Sequence, residues 1–186
     1  MILWAALGAG LLTGLGVSRF QGHPYRPPAL RHVWLVFAGF LPQYLAIYLT
    51  DTRALFPDWL AASCVLISQV ALLVFSWFNR RLPGMPVLIV GLVFNLAVIA
   101  ANGGFMPINP QTAERLVGAG SAASLEIGSR FGYKDMLIPA NETRLEWLAD
   151  RFLPPQWFPY QVAFSLGDVF IGAGVFQILA SQKLNG

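Results

Sequence analysis

Residues 59–78 read WLAASCVLISQVALLVFSWF, an apolar run from Trp59 to Phe78 without one charged side chain. A helix that crosses a bilayer needs roughly 20 such residues, with ~17–25 usual. In hydrocarbon, a lone segment satisfies its own backbone amides only as a helix. Four more runs of this kind flank it: Ile2–Val17, Val33–Thr50, Pro86–Ala101 and Tyr160–Ala180. The first and fourth are short, so their ends are expected to lean on neighbouring helices or to thin the bilayer locally. The expected fold is all-α, a single polytopic membrane domain over residues 1–186. It has about five transmembrane helices, at about 2–17, 33–50, 59–78, 86–101 and 160–180, and an extracytoplasmic loop over 102–159.

Composition agrees with that class. Hydrophobic residues make up 56% of the chain and charged ones 11%, and the mean hydropathy is +0.58. A soluble domain carries about 25% charged residues. The lipid bilayer is the expected partner, and nucleic acid is not. Cys64, the single cysteine, lies inside the third run, so an internal disulfide and a cysteine-based metal site are excluded. It reads as a small buried side chain. No basic residue precedes the first run and Ser18–Arg31 offers no obvious small-residue cleavage site, so that run reads as a retained helix.

The basic residues orient the bundle. Arg19, Arg26 and Arg31 lie between the first two runs, Arg80 and Arg81 between the third and fourth, and Lys183 in the tail. None of these stretches contains an Asp or Glu, whereas the loop before Trp59 holds Asp51, Arg53 and Asp58. Basic loops face the cytoplasm. The N-terminus and residues 102–159 are then expected outside, and the C-terminus inside.

The outer segment begins with a turn-rich exit, Asn102-Gly103-Gly104-Phe105-Met106-Pro107. Asn109 before Pro110 looks like a helix N-cap with proline in the first turn, and that helix should end near Gly118 or Gly120. A second helix is expected after Pro139, capped by Asn141, with Leu145, Leu148, Ala149 and Phe152 at helical spacing and facing the bundle or the membrane. Trp147, Trp157, Phe158 and Tyr160 suit a headgroup boundary. The segment is expected to lie on the outer face as a lid. Asn141-Glu142-Thr143 matches a glycosylation sequon, a triplet common by chance and meaningful only in a eukaryotic secretory setting.

Asp168 is the one formally charged residue within the five runs, and Gln43, Gln69 and Asn95 lie near the midpoints of three others. A charge at bilayer depth costs at least ~2.5–3.5 kcal/mol, so a polar partner is expected. No Lys or Arg is placed at that depth in sequence. Asp168 must then be protonated, be solvated through a cavity, bind a cation, or accept hydrogen bonds from donors such as Asn95, Gln69 and Ser165. Pro42 frees the Ala38 carbonyl and opens a polar spot beside Gln43. The plainer alternative for all of these side chains is interhelical hydrogen bonding that fixes register.

Ala6, Gly10 and Gly14 repeat every four residues on the first helix, which permits close backbone approach, within the bundle rather than at a dimer face. His23 and His32 have no zinc-type spacing, no phosphate loop is present, and no metal or cofactor is expected.

Asn102-Gly103-Gly104-Phe105-Met106-Pro107, Gly128-Ser129-Arg130-Phe131-Gly132, Glu142-Thr143-Arg144-Leu145 and Phe164-Ser165-Leu166-Gly167-Asp168, in that order, resemble a small bacterial membrane family, the domain of unknown function DUF5317. The similarity extends over nearly the whole chain. It implies a multi-pass protein of the bacterial cytoplasmic membrane in which the outer loop and Asp168 belong to one recurring design. It brings no activity with it.

The expected role is that of an accessory or scaffold subunit packed against other membrane protein subunits, since no catalytic set is recognisable. A small transporter or proton- or cation-coupled protein using Asp168 is the alternative. A lipid-directed enzyme with Glu126, Glu142 or Glu146 as acid or base is a third, without a paired-carboxylate or nucleophile spacing to support it.

Overall fold

The computed structural model describes residues 2–48, 56–117, 126–132, 134–158 and 160–181, with the backbone alone at 47 and 48. Five apolar helices run up and down between two ends. Helix α1 (Ile2–Phe20) closes on Gly22, whose φ of +71° lets the His23 amide reach back to the Ser18 carbonyl at 3.0 Å. Helix α2 (Trp34–Gln43) passes through Pro42 and continues as a π-helical turn over Tyr44–Tyr48. The missing proline amide and the wider turn belong together, because both break the regular ladder at one place. Helix α3 spans Asp58–Phe78 and helix α4 Met85–Ala101.

The main contacts run in series, α1 on α6 (Leu166–Ala180), α6 on α4, α4 on α3 and α3 on α2. Missing side chains allow the tightest crossings. A Cβ on Gly91 would stand 2.5 Å from the Gly167 carbonyl oxygen, and one on Gly10 would stand 3.0 Å from that of Phe176. Gly14 is equally tight against Leu179, and Ala6 lies beside Gly172. The small-residue face of α1 is thus occupied by α6.

At one end Ala46, Ala61, Ala62, Val98 and Ile99 share a buried cluster with Phe105, Met106 and Leu148 of the lid. At the other, Phe75, Met85 and Ile178 pack together beneath Leu35 and Val36. That second end carries Arg19, Arg26, Arg31, Arg80 and Arg81. There the Asn79 carboxamide pairs with the Arg31 backbone (2.8 and 2.9 Å), and Tyr25 donates to the Leu179 carbonyl at 3.1 Å.

The lid corrects two expectations. It is not wholly helical: β1 (Met106–Ile108) pairs in parallel with β3 (Asp135–Leu137), which pairs antiparallel with β2 (Arg130–Phe131). The helix expected after Pro139 is absent, and only a single 3₁₀ turn forms at Glu146–Leu148, behind Leu145 in a left-handed conformation (φ 55°). Leu148 is buried, but Leu145 and Phe152 are 41% and 40% exposed. The backbone there finds partners elsewhere. Asp150 donates to the Pro107 carbonyl (3.1 Å), and Phe152 exchanges two bonds with Phe164 (3.1 and 3.0 Å). Helix α5 (Pro110–Val117) starts as expected, with Asn109 Oδ1 accepting from the Gln111 amide at 3.0 Å; Gly118 and Gly120 lie outside the described residues.

The last helix is shorter than the expected 160–180. Residues 160–165 are not helical, and α6 begins only at Leu166, capped by Ser165. By length and composition α1 and α3 are long and apolar enough to cross a membrane, while α2, α4 and α6 are shorter apolar helices.

The glycine contacts predict opposite outcomes for one substitution at two places. Gly167→Ala puts a Cβ 1.9 Å from Asn95 Oδ1 and 2.9 Å from the Gly91 carbonyl oxygen, and overpacking of this kind costs about 1–3 kcal/mol. Gly16→Ala meets nothing within 4 Å and should gain about 0.5–1 kcal/mol of helix propensity. Thermal unfolding of both variants in one detergent measures the difference.

Candidate functional site

The site grows from the start of α6. The Ser165 hydroxyl accepts from the Asp168 amide (3.1 Å), and Asp168 Oδ2 accepts from the Ser165 amide (3.0 Å), a reciprocal capping box. Asn95, on α4, completes it. Its Nδ2 donates to Asp168 Oδ1 at 3.1 Å, and its Oδ1 accepts from the Ser165 hydroxyl at 3.1 Å. Asp168 is therefore in the first turn of the helix at the lid end, not near mid-span, and both of its oxygens are engaged.

The lid brings the cation that the sequence order hides. Lys134 follows β2, directly before β3, and its ammonium donates to Asp135 Oδ1 (3.1 Å) and Asp150 Oδ2 (2.7 Å). The charge of Asp168 also acts on it. Asp150 is held in place by backbone pairing beside Ile108, with its side chain 1% exposed. Its Oδ1 is buried and accepts no hydrogen bond among the described residues. Three carboxylates thus face one ammonium.

These groups form one pole of a cavity of about 760 Å³. Its walls are apolar side chains of α1, α2, α3, α4 and α6, among them Ile2, Val36, Leu72, Leu92, Ile171 and Val175. Asn95, Lys134, Asp135, Asp150 and Asp168 all line it, together with Gln69, whose Oε1 is also buried without a partner. Gln43 is buried on α2 but is not part of the lining. So the expected intramembrane set divides. Asp168, Asn95 and Ser165 are hydrogen-bonded together, Gln69 shares their cavity, and Gln43 stands apart.

The loop residues mostly build the lid. The Asn102 carboxamide donates to the Val98 and Arg144 carbonyls (2.7 and 2.8 Å) and accepts from the Arg144 amide (2.9 Å), so Arg144 contributes its backbone. Gly103 and Gly104 have φ of +79° and +92°, and Gly104 passes against Ala62. Met106 and Pro107 are buried in β1. Arg130 ties the lid to the start of α3 by an ion pair with Asp58, with its guanidinium over the Phe105 ring. Glu146 pairs with Arg151 at 2.7 Å, and neither it, Glu126 nor Glu142 lines the cavity. His32 stacks on Phe78.

Burial lowers the proton affinity of Lys134, but the charges of Asp135, Asp150 and Asp168 outweigh it and hold the ammonium well above the ordinary lysine range. Burial pushes the Asp150 carboxyl from 3.8 up to about 7, against the pull of Lys134 and with the help of Asp135 and Asp168. The carboxyl that burial pushes up is that of Asp150, which the hydropathy pattern leaves inside a polar loop.

Stability follows from that shift. The folded chain keeps the Asp150 proton to about pH 7, whereas the unfolded chain releases it near 3.8, so this contribution is complete below the lower value and is lost as pH rises towards the upper one. Asp150→Asn cannot ionise and should remove that fall. Unfolding midpoints measured from about pH 4 to about pH 8 test it. Lys134→Met leaves three carboxylates facing one another and should cost about 2–4 kcal/mol, somewhat under the value for a fully dry pair because the lysine is partly exposed.

A match to the family of unknown function DUF5317 covers residues 28–180, which include the lid, the capping box and every acidic group around Lys134. No curated protein and no solved structure matches the chain. The match spans most of the sequence, and the chain belongs to the DUF5317 family.

Proposed function

We propose that the protein is an integral protein of the bacterial cytoplasmic membrane, with five spanning helices, that holds an amphipathic molecule in the cavity beneath its lid. The observation that carries this reading is the cavity itself, about 760 Å³ with an apolar body and a single charged pole. Ligand sites have this form, mostly apolar walls with a few convergent polar groups. An amphiphile fits both parts, its tail among the helices and its head at Lys134 and the three aspartates.

Membrane residence is supported by what the helices leave uncovered. Trp4, Leu12, Phe20, Trp34, Phe37, Leu41, Ile67 and Trp77 are all more than half exposed on α1, α2 and α3. An apolar belt of this breadth is foreign to soluble monomers. With 15 residues, α6 reaches about 22 Å, short of the ~30 Å hydrocarbon layer. The lid base covers its start, and Trp157 and Tyr160 are exposed beside it at the height of a headgroup layer. The basic end then faces the cytoplasm, and the N-terminus and lid face outside.

An accessory or scaffold subunit, the role expected for want of a recognisable catalytic set, would meet its partners through the exposed apolar belt, since the small-residue face of α1 is already filled by α6. A proton-coupled transporter is the second reading, favoured by Asp150, whose carboxyl is pushed up to about 7 at the cavity pole.

Two measurements test the proposal. Protein purified in mild non-ionic detergent should carry a defined amphiphile near one per chain, read by organic extraction and mass spectrometry. Val175→Phe, which fills the cavity body, should lose most of it. An identical mixed-lipid profile in both proteins would sink the ligand reading. For orientation, an impermeant thiol reagent on intact cells in a Cys64→Ala background should label Glu142→Cys and spare Arg81→Cys. The reverse pattern would invert the topology.

A further inference from the structure

We infer that the polar pole of the cavity selects an amphiphile with a primary ammonium head. This deepens the ligand reading above and rests on it. Three features of the pole point the same way. Its ionisable groups are Lys134 against Asp135, Asp150 and Asp168, an excess of carboxyl groups over ammonium that favours a cationic head over an anionic one. The lysine is already engaged, donating to Asp135 at 3.1 Å and to Asp150 at 2.7 Å, so an incoming carboxylate or phosphate would have to displace these partners. Finally, among the described residues that line the cavity, the buried side-chain atoms left without hydrogen bonds are acceptors, Asp150 Oδ1 and Gln69 Oε1. An unsatisfied buried acceptor is destabilising, and a ligand donor that reaches it relieves that penalty. A primary ammonium supplies three N–H donors and one positive charge.

The charges around Asp150 set the pH dependence. Lys134, Asp135 and Asp168 are the charged groups that act on it, and burial pushes its carboxyl up to about 7. An ammonium head binds the carboxylate and must displace the proton below that pH. An alkylammonium stays charged to about pH 10. Affinity should therefore rise as pH increases through neutrality.

The test uses the full chain in lipid nanodiscs and isothermal titration with three probes of equal tail: dodecylammonium, dodecanol and dodecanoate. Dodecylammonium should bind at least about tenfold more tightly than either of the others, the scale of one charge-assisted hydrogen bond. Its affinity should increase about tenfold between about pH 6 and about pH 8. Asp150→Asn should lose about tenfold and flatten the pH profile. Gln69→Leu, which leaves every ion pair of the pole in place, should lose several-fold and serves if the first variant fails to fold. Dodecanoate binding as tightly as dodecylammonium would overturn the ammonium assignment and leave the amphiphile cavity standing. Absence of saturable, Val175→Phe-sensitive binding by all three probes would overturn both.

Discussion

The carboxamide of Asn95 rests on the bare backbone of Gly167, and its two ends are taken by Ser165 and Asp168. Much of the architecture depends on that seat. It helps to fix the register of α4 against α6, because a Cβ at position 167 would collide with that side chain. It also decides where α6 begins, since the same serine and aspartate close the capping box. And it holds the Asp168 carboxyl in place at the wall of the cavity. A packing contact, a helix start and an electrostatic boundary share one set of atoms.

The lid works on a similar economy. Its three short strands are too small to be stable alone, and they are held from several sides by Asn102, Arg130 and the backbone of Asp150. What the strands position is Lys134. Without that ammonium, Asp135, Asp150 and Asp168 would face each other across an apolar space, an arrangement that only protonation would relieve. The lysine therefore connects the folding of the lid to the charge of the cavity.

Much of the bundle was legible in the sequence because hydropathy reports burial from water along a continuous segment. Ile2, Trp59 and Pro86 stand at or within one residue of observed helix starts. Tyr160 does not, because apolar character alone cannot distinguish a helix from the non-helical residues 160–165, of which Phe164 pairs with Phe152 of the lid. The same limitation hid the strands: Met106–Ile108 and Asp135–Leu137 are too short for a period to emerge. For the site, Asp168, Asn95 and Ser165 were visible as polar exceptions in apolar runs. Lys134, Asp135 and Asp150 were not, since a charged residue in a polar loop carries no sign that the fold will bury it. The one available hint was Asp150 directly after the Trp147-Leu148-Ala149 stretch, where a carboxylate adjoins an apolar turn.

The serial order of the helices separates neighbours in sequence from neighbours in space. The principal partner of α1 is α6, and the segment between α1 and α2 crosses the basic end, tacked to α6 through Tyr25 and to the end of α3 through Asn79. During synthesis α1 is thus made well before α6, the helix that completes its packing. Its Gly10 and Gly14 groove stays unfilled until α6 has left the ribosome. Long-range contacts of this kind form late, so the bundle has a natural checkpoint: a chain interrupted after α4 presents an unfilled groove that a finished chain conceals.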